Sequence, residues 1–187
     1  MAMKGMLSGR NREGAPTAES EIIQLAAFSV GAEQYALDIM RIKRIINPLP
    51  ITPVPKAPPF IEGVIELRGV ILPMVDMRRR FDLPCVPVTR ANKFLIVAID
   101  GRRPTGASAS PSQRWIVGLI VDGMPEVVRV TRGEILPAPA MAQSADARYF
   151  SGVCHHRGRI AMLIDLEALL SPGELLTLER LGGGRVE

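Results

Sequence analysis

From Ile22 onward the chain is a succession of short apolar runs separated by turn residues, the pattern of a protein built from many short strands. Residues 22–30 and 35–39 are two such runs, and Gly31-Ala32-Glu33-Gln34 between them reads as a hairpin turn. Residues 40–46 alternate imperfectly, with Ile42 set among Arg41, Lys43 and Arg44. Further strands are predicted at 63–67, 70–75, 93–100, 115–121, 126–130, 152–156 and 159–164. The end of the chain turns helical. Asp165 is placed to cap a turn reaching Leu170, and Ser171-Pro172-Gly173-Glu174 is a capping box with proline at the first helical position. The helix that follows is expected to stop at Gly182-Gly183-Gly184.

Residues 47–60 hold six of the sixteen prolines. Proline donates no backbone hydrogen bond and fixes φ, so this stretch is neither helix nor central strand. Its PxxP spacings (Pro50/Pro53 and Pro55/Pro58) match the pattern of SH3 ligands. A connector packed on its own domain is the preferred reading, because Ile51, Val54 and Phe60 call for burial. Residues 1–20 and 101–114, rich in Gly, Ser and charge or Pro, read as a mobile tail and a flexible surface loop.

The chain also repeats itself. Residues 63–77 align without a gap to 152–166, matching Gly63, Val64, Arg68, Gly69, Ile71 and Asp76 to Gly152, Val153, Arg157, Gly158, Ile160 and Asp165. Ile51-Thr52-Pro53-Val54-Pro55 recurs as Ile135-Leu136-Pro137-Ala138-Pro139, and 36–46 matches 118–128 more weakly. The offsets of 82, 84 and 89 grow along the chain, as they would if the second copy gained loop residues. Two copies of one β unit follow, each with a hairpin turning at Arg-Gly and ending in an Asp-capped turn. Each copy alone is marginal in size, so the pair is expected to bury a shared apolar seam.

Composition then narrows the class. With 187 residues, 47% of them hydrophobic, the chain is long enough to bury a core. No apolar run reaches membrane-span length, and the first twenty residues lack the apolar centre of a secretory signal, so the cytosol is the expected compartment. Cys85 and Cys154 form no CxxC pair and are expected to be reduced thiols. The net charge of +4 raises the possibility of a basic SH3-like module for nucleic acid. The charge is scattered, however, apart from Arg78-Arg79-Arg80, and aromatics are only 4% of the chain, so stacking platforms for bases are scarce.

No catalytic motif is found: GxSxG, the P-loop and GxGxxG are all absent. Cys154-His155-His156 has no companion cluster at ligand spacing, and adjacent strand residues face opposite ways, so no metal is expected. Asp76 and Asp165 are read as helix caps rather than an acid–base pair. Arg68 and Arg157 lack a nucleophile or base beside them. An arginine at a hairpin tip ringed by aliphatics stands equally as an interface anchor or as a solvated turn residue.

The segments 28–39, 51–55, 60–81, 117–127 and 135–139 together resemble the CheW family, in order, over about 22–170. The block 60–81 is the most specific, since its Pro, Gly, Arg-Gly and Asp-x-Arg positions fall at family spacing. The resemblance implies an all-β fold of two SH3-like five-stranded barrels occupying 21–171. The subdomains are expected near 21–90 and 91–171, with exchange of strands between them allowed, followed by a C-terminal helix and Gly-rich tail over 172–187. It implies a non-catalytic adaptor without cofactors, bridging methyl-accepting chemoreceptors and a CheA-type histidine kinase at the inner face of the membrane, reached only through receptors. The same scaffold could serve a non-flagellar pathway such as pilus motility or biofilm signalling. The resemblance assigns receptor binding to Leu67, Arg68 and Gly69, and points to Ile39 and Ile42 as kinase-contact candidates. Arg44 stands where the family usually carries an acid, which marks it as a partner-specificity position. Glu66 replaces the family's turn asparagine.

Overall fold

A computed structural model of the chain describes residues 18–100, 114–138 and 148–180. Ten strands fall where the hydrophobic pattern predicts them: β1 (Ile22–Val30), β2 (Glu33–Asp38), β3 (Ile42–Ile46), β4 (Ile61–Leu67), β5 (Val70–Asp76), β6 (Lys93–Asp100), β7 (Arg114–Val121), β8 (Glu126–Thr131), β9 (Phe150–His156) and β10 (Arg159–Ile164). Among the described residues, the short helix α1 (Met77–Arg80) follows β5, and α2 (Leu166–Leu169) and α3 (Pro172–Arg180) follow β10. The stretch 40–46 is not one strand. The Asp38 carboxylate accepts a hydrogen bond from the Met40 N–H at 2.8 Å, winding Ile39–Arg41 into a 3-10 turn before β3 starts. A register shift between Ile42 and Arg44 accounts for the imperfect alternation. Ala18–Ser20, expected within a mobile tail, forms a 3-10 turn; residues 1–17, 101–113, 139–147 and 181–187, where the rest of that tail, the surface loop, Pro139 and the 182–184 glycines were expected, lie outside the described residues.

The strands form two five-stranded sheets, ordered β8-β1-β2-β10-β9 and β3-β6-β7-β5-β4. Replacing β8 by β3, β1 by β6, β2 by β7, β10 by β5 and β9 by β4 turns the first order into the second. The registers agree with this: Leu163 pairs with Ala36, and its counterpart Met74 pairs with Gly118. Each sheet takes two neighbouring strands from one repeat and three from the other. A division near residue 90 therefore cuts the second sheet between β5 and β6. With strands exchanged in this way, the sheets group 22–38 with 126–164, and 42–121, because β2 and β7 pair in parallel with strands of the opposite repeat.

Strand alternation feeds three cores. Ile65, Leu72, Met74, Phe94, Ile96 and Ile120 fill the inside of the second sheet, and Leu25, Ala36, Val130, Cys154 and Ala161 that of the first. The intervening residues, among them Phe28, Tyr35, Leu37, Leu95, Val97, Leu119 and Val121, face the large shared seam. α3 closes this seam with Leu175 and Leu178. The Ser171–Glu174 capping box holds its start, with Ser171 N–H donating to the Glu174 carboxylate at 2.6 Å.

The proline connectors pack on their own units. Thr52 and Val64 exchange two backbone hydrogen bonds of 2.9 Å, and Leu136 and Val153 exchange an equivalent pair. Gly63 and Gly152 permit these approaches, since a Cβ at either would collide with the carbonyl oxygen of Thr52 or Leu136. Asp76 and Asp165 cap α1 and α2 through their carboxylates, as the sequence predicts.

Candidate functional site

The β4–β5 and β9–β10 hairpins turn at Arg68-Gly69 and Arg157-Gly158. Both central residues of each turn have positive φ: 54° and 81° in the first, 50° and 72° in the second. That is the type I′ arrangement, whose twist matches the flanking strands. Glycine enters this region freely, whereas an arginine does so at a cost of about 1–2 kcal/mol. A long cationic side chain is thus held at the tip of each hairpin, where Asn or Gly would be the less strained choice.

The two tips have different surroundings. Glu126, at the start of edge strand β8, forms an ion pair with Arg157 at 3.0 Å and lies 3.3 Å from His156 Nε2 on edge strand β9. One carboxylate thereby links the two edges of the first sheet. Glu126 pairs with Ala27 on β1, and Arg44 pairs with the equivalent Ile96 on β6. Arg44 therefore takes Glu126's place in the second sheet, with Leu67 standing for His156 and Arg68 for Arg157. Gln34 and Arg159, which line the shallow cavity beside Glu126, become Ile116 and Val70. The mouth of the first sheet is polar and internally paired; that of the second is aliphatic and carries two arginines. Neither Arg44 nor Arg68 has an ion pair or hydrogen bond among the described residues, and both are exposed.

Leu67 and Ile46 both pack on the interior of the second sheet, so its edges β4 and β3 curl round one core. Arg44 shares the face of Ile46, which sets it at that mouth with Leu67 and the Arg68-Gly69 turn. Ile39 and Ile42 are placed elsewhere. Ile42 packs against the shared seam, on the other face of β3, and Ile39 is half-buried in the 3-10 turn. Met40 beside them is 77% exposed and is the accessible apolar group of that turn, which hydrophobic patterning alone did not single out. The match of 36–46 to 118–128 already set Arg44 against Glu126. What it lacked was the sheet pairing that brings Glu126 to Arg157. His155 is exposed and His156 half-buried, on opposite faces of β9.

The fold and this site define a two-sheet β module that presents an aliphatic, arginine-bearing turn on one unit and a self-paired turn on the other. The CheW-like domain model matches residues 24–174, and the chain belongs to that family of non-catalytic scaffolds. It is 33% identical over 152 residues to the chemotaxis protein CheW of Klebsiella aerogenes, covering 81% of this chain and 84% of that one. It is 29% identical over 151 residues to the chemotaxis protein CheW of Rhizobium meliloti, covering 81% and 89%. The crystal structure of the scaffolding protein CheW from Thermoanaerobacter tengcongensis superposes with a TM-score of 0.67 at 27% identity, covering 82% of this chain and 96% of that one. The chain is thus a scaffold of the chemotaxis type. No helix among the described residues is long and apolar enough to cross a membrane.

Proposed function

We propose that the chain couples methyl-accepting chemoreceptors to a CheA-type histidine kinase, with the Leu67-Arg68-Gly69 turn as its receptor contact and Arg44 as a determinant of partner choice. The observation that carries this reading is the Arg68 turn itself. A guanidinium without a partner among the described residues stands in a strained backbone conformation at an aliphatic mouth, while its repeat counterpart is neutralised by Glu126. Backbone strain that survives where an easier residue would fit is a mark of function. Arginine beside aliphatic surface is a frequent anchor of protein interfaces. Ile42 contributes to the seam, so the kinase contact proposed for the β2–β3 turn falls to Ile39 and the exposed Met40. The protein would reach the inner membrane face through its receptors alone.

The test is co-sedimentation of the full chain with receptor-containing membranes, with and without the kinase. The chain should pellet with receptor membranes and bring the kinase down with it. A chain that stays in the supernatant under both conditions would refute the coupling role.

A further inference from the structure

Arg44 and Arg68 occupy the positions of a carboxylate and a guanidinium that, in the other sheet, neutralise each other at 3.0 Å. The second sheet therefore replaces an internal ion pair by two like charges at one mouth. At the positions where the first sheet has His156, Arg159 and Gln34 the second has Leu67, Val70 and Ile116. Val70 is 42% exposed and directly opposite Leu67 across the hairpin, so this apolar surface is open to a partner. Glu66, the acidic residue nearest in sequence, cannot neutralise the pair from its own strand. Ile65 and Leu67 face the core, which sends Glu66 to the other side of β4.

We infer that Arg44 and Arg68 form a two-arginine clamp for an acidic protein segment that presents an apolar side chain flanked by carboxylates. This builds on the coupling reading, in which the Arg68 turn meets a partner protein, and adds the chemistry of the segment met there. Each guanidinium offers a planar fork to one carboxylate, and charge-assisted pairs of this kind are among the stronger hydrogen bonds. The aliphatic floor takes the apolar side chain between them. A nucleic-acid strand fits this mouth less well, since Leu67, Val70 and Ile116 supply no aromatic face on which a base would stack.

The experiment titrates the full chain with a helix-forming peptide bearing two glutamates four residues apart with a leucine between them on the same face. The same peptide with glutamine at both positions, and a random-sequence single-stranded oligonucleotide, are the comparisons. The chain should bind the glutamate peptide at least about tenfold more tightly than the glutamine peptide, a difference of about 1.4 kcal/mol. Arg44→Gln and Arg68→Gln should each abolish that preference, whereas Arg129→Gln, which removes an equal charge from exposed β8, should leave it. Equal binding of the two peptides, or equal losses in all three variants, would overturn the clamp. So would tighter, Arg44-dependent binding of the oligonucleotide. Circular dichroism of each variant checks that the fold is kept. Loss of the peptide preference with intact pelleting on receptor membranes would remove the clamp and spare the coupling role. The reverse pattern would remove the coupling role and spare the clamp.

Discussion

Glu126 holds Arg157 at 3.0 Å in the first sheet, and Arg44 stands at the position equivalent to Glu126 in the second. One repeat thus closes its mouth with an ion pair, and the other faces solvent with two cations. The two units thus differ in charge where the protein is proposed to bind.

Arg44→Glu should rebuild in the second sheet the pair that the first already has. The gain in stability is expected to be small, about 0.2–1 kcal/mol, because the pair is exposed. Urea denaturation of Arg44→Glu, Arg68→Ala and the double variant gives the coupling energy. A coupling of zero would mean that the two residues do not meet.

Arg68→Gly separates strain from recognition. Glycine relieves the positive φ, so the urea midpoint should hold or rise while binding is lost. A fall in stability of more than about 1 kcal/mol would show that the arginine supports the fold.

The C-terminal helix is pinned by a charge. Arg80, buried between the rings of Phe60 and Tyr149, donates twice to Glu174 at 2.9 and 3.2 Å. Burial alone would raise the Glu174 pKa, but the hydrogen bonds from Arg80 and Ser171 outweigh it and hold the carboxyl below its ordinary 4.5. A carboxylate with a depressed folded pKa contributes stability that is complete above its unfolded value and fades as pH falls through the folded one. Glu174→Gln should therefore destabilise at neutral pH, and the gap to wild type should narrow below about pH 4.5. Urea curves at pH 7 and in acid check this; a gap that widens in acid would contradict it.

The exchanged sheets predict that neither half of the chain folds alone. Residues 21–90 expressed separately should lack the cooperative transition of the whole, as should 91–171, and mixing the two should restore it. Folding of 91–171 by itself would be incompatible with β6 and β7 belonging to the sheet of β3, β4 and β5.

Much of this was legible in the sequence because it is local. The apolar run of β6, the two Asp caps and the matched Arg-Gly turns each rest on a few neighbouring residues, and all fall where predicted. The sheet partners were not legible. Parallel pairing of β2 with β10 joins residues more than a hundred positions apart, and nothing in either strand names the other. For the same reason the sequence match could set Arg44 against Glu126 but could not show that Glu126 pairs with Arg157 across the mouth of the first sheet. The register shift beside Ile42, which turns its side chain towards the seam, was likewise not legible in the local pattern.

The receptor contact is proposed for the Arg68 turn and not for its twin at Arg157. The most direct measurement is the affinity of Arg68→Ala and Arg157→Ala for receptor-containing membranes, read by co-sedimentation beside their thermal midpoints. Truncating a buried interface arginine typically costs about 2 kcal/mol, so Arg68→Ala should weaken binding roughly thirtyfold. Its midpoint should barely move, and Arg157→Ala should bind as the wild type does. Equal binding by both variants, or a stronger loss at Arg157, would contradict a receptor contact at the Arg68 turn.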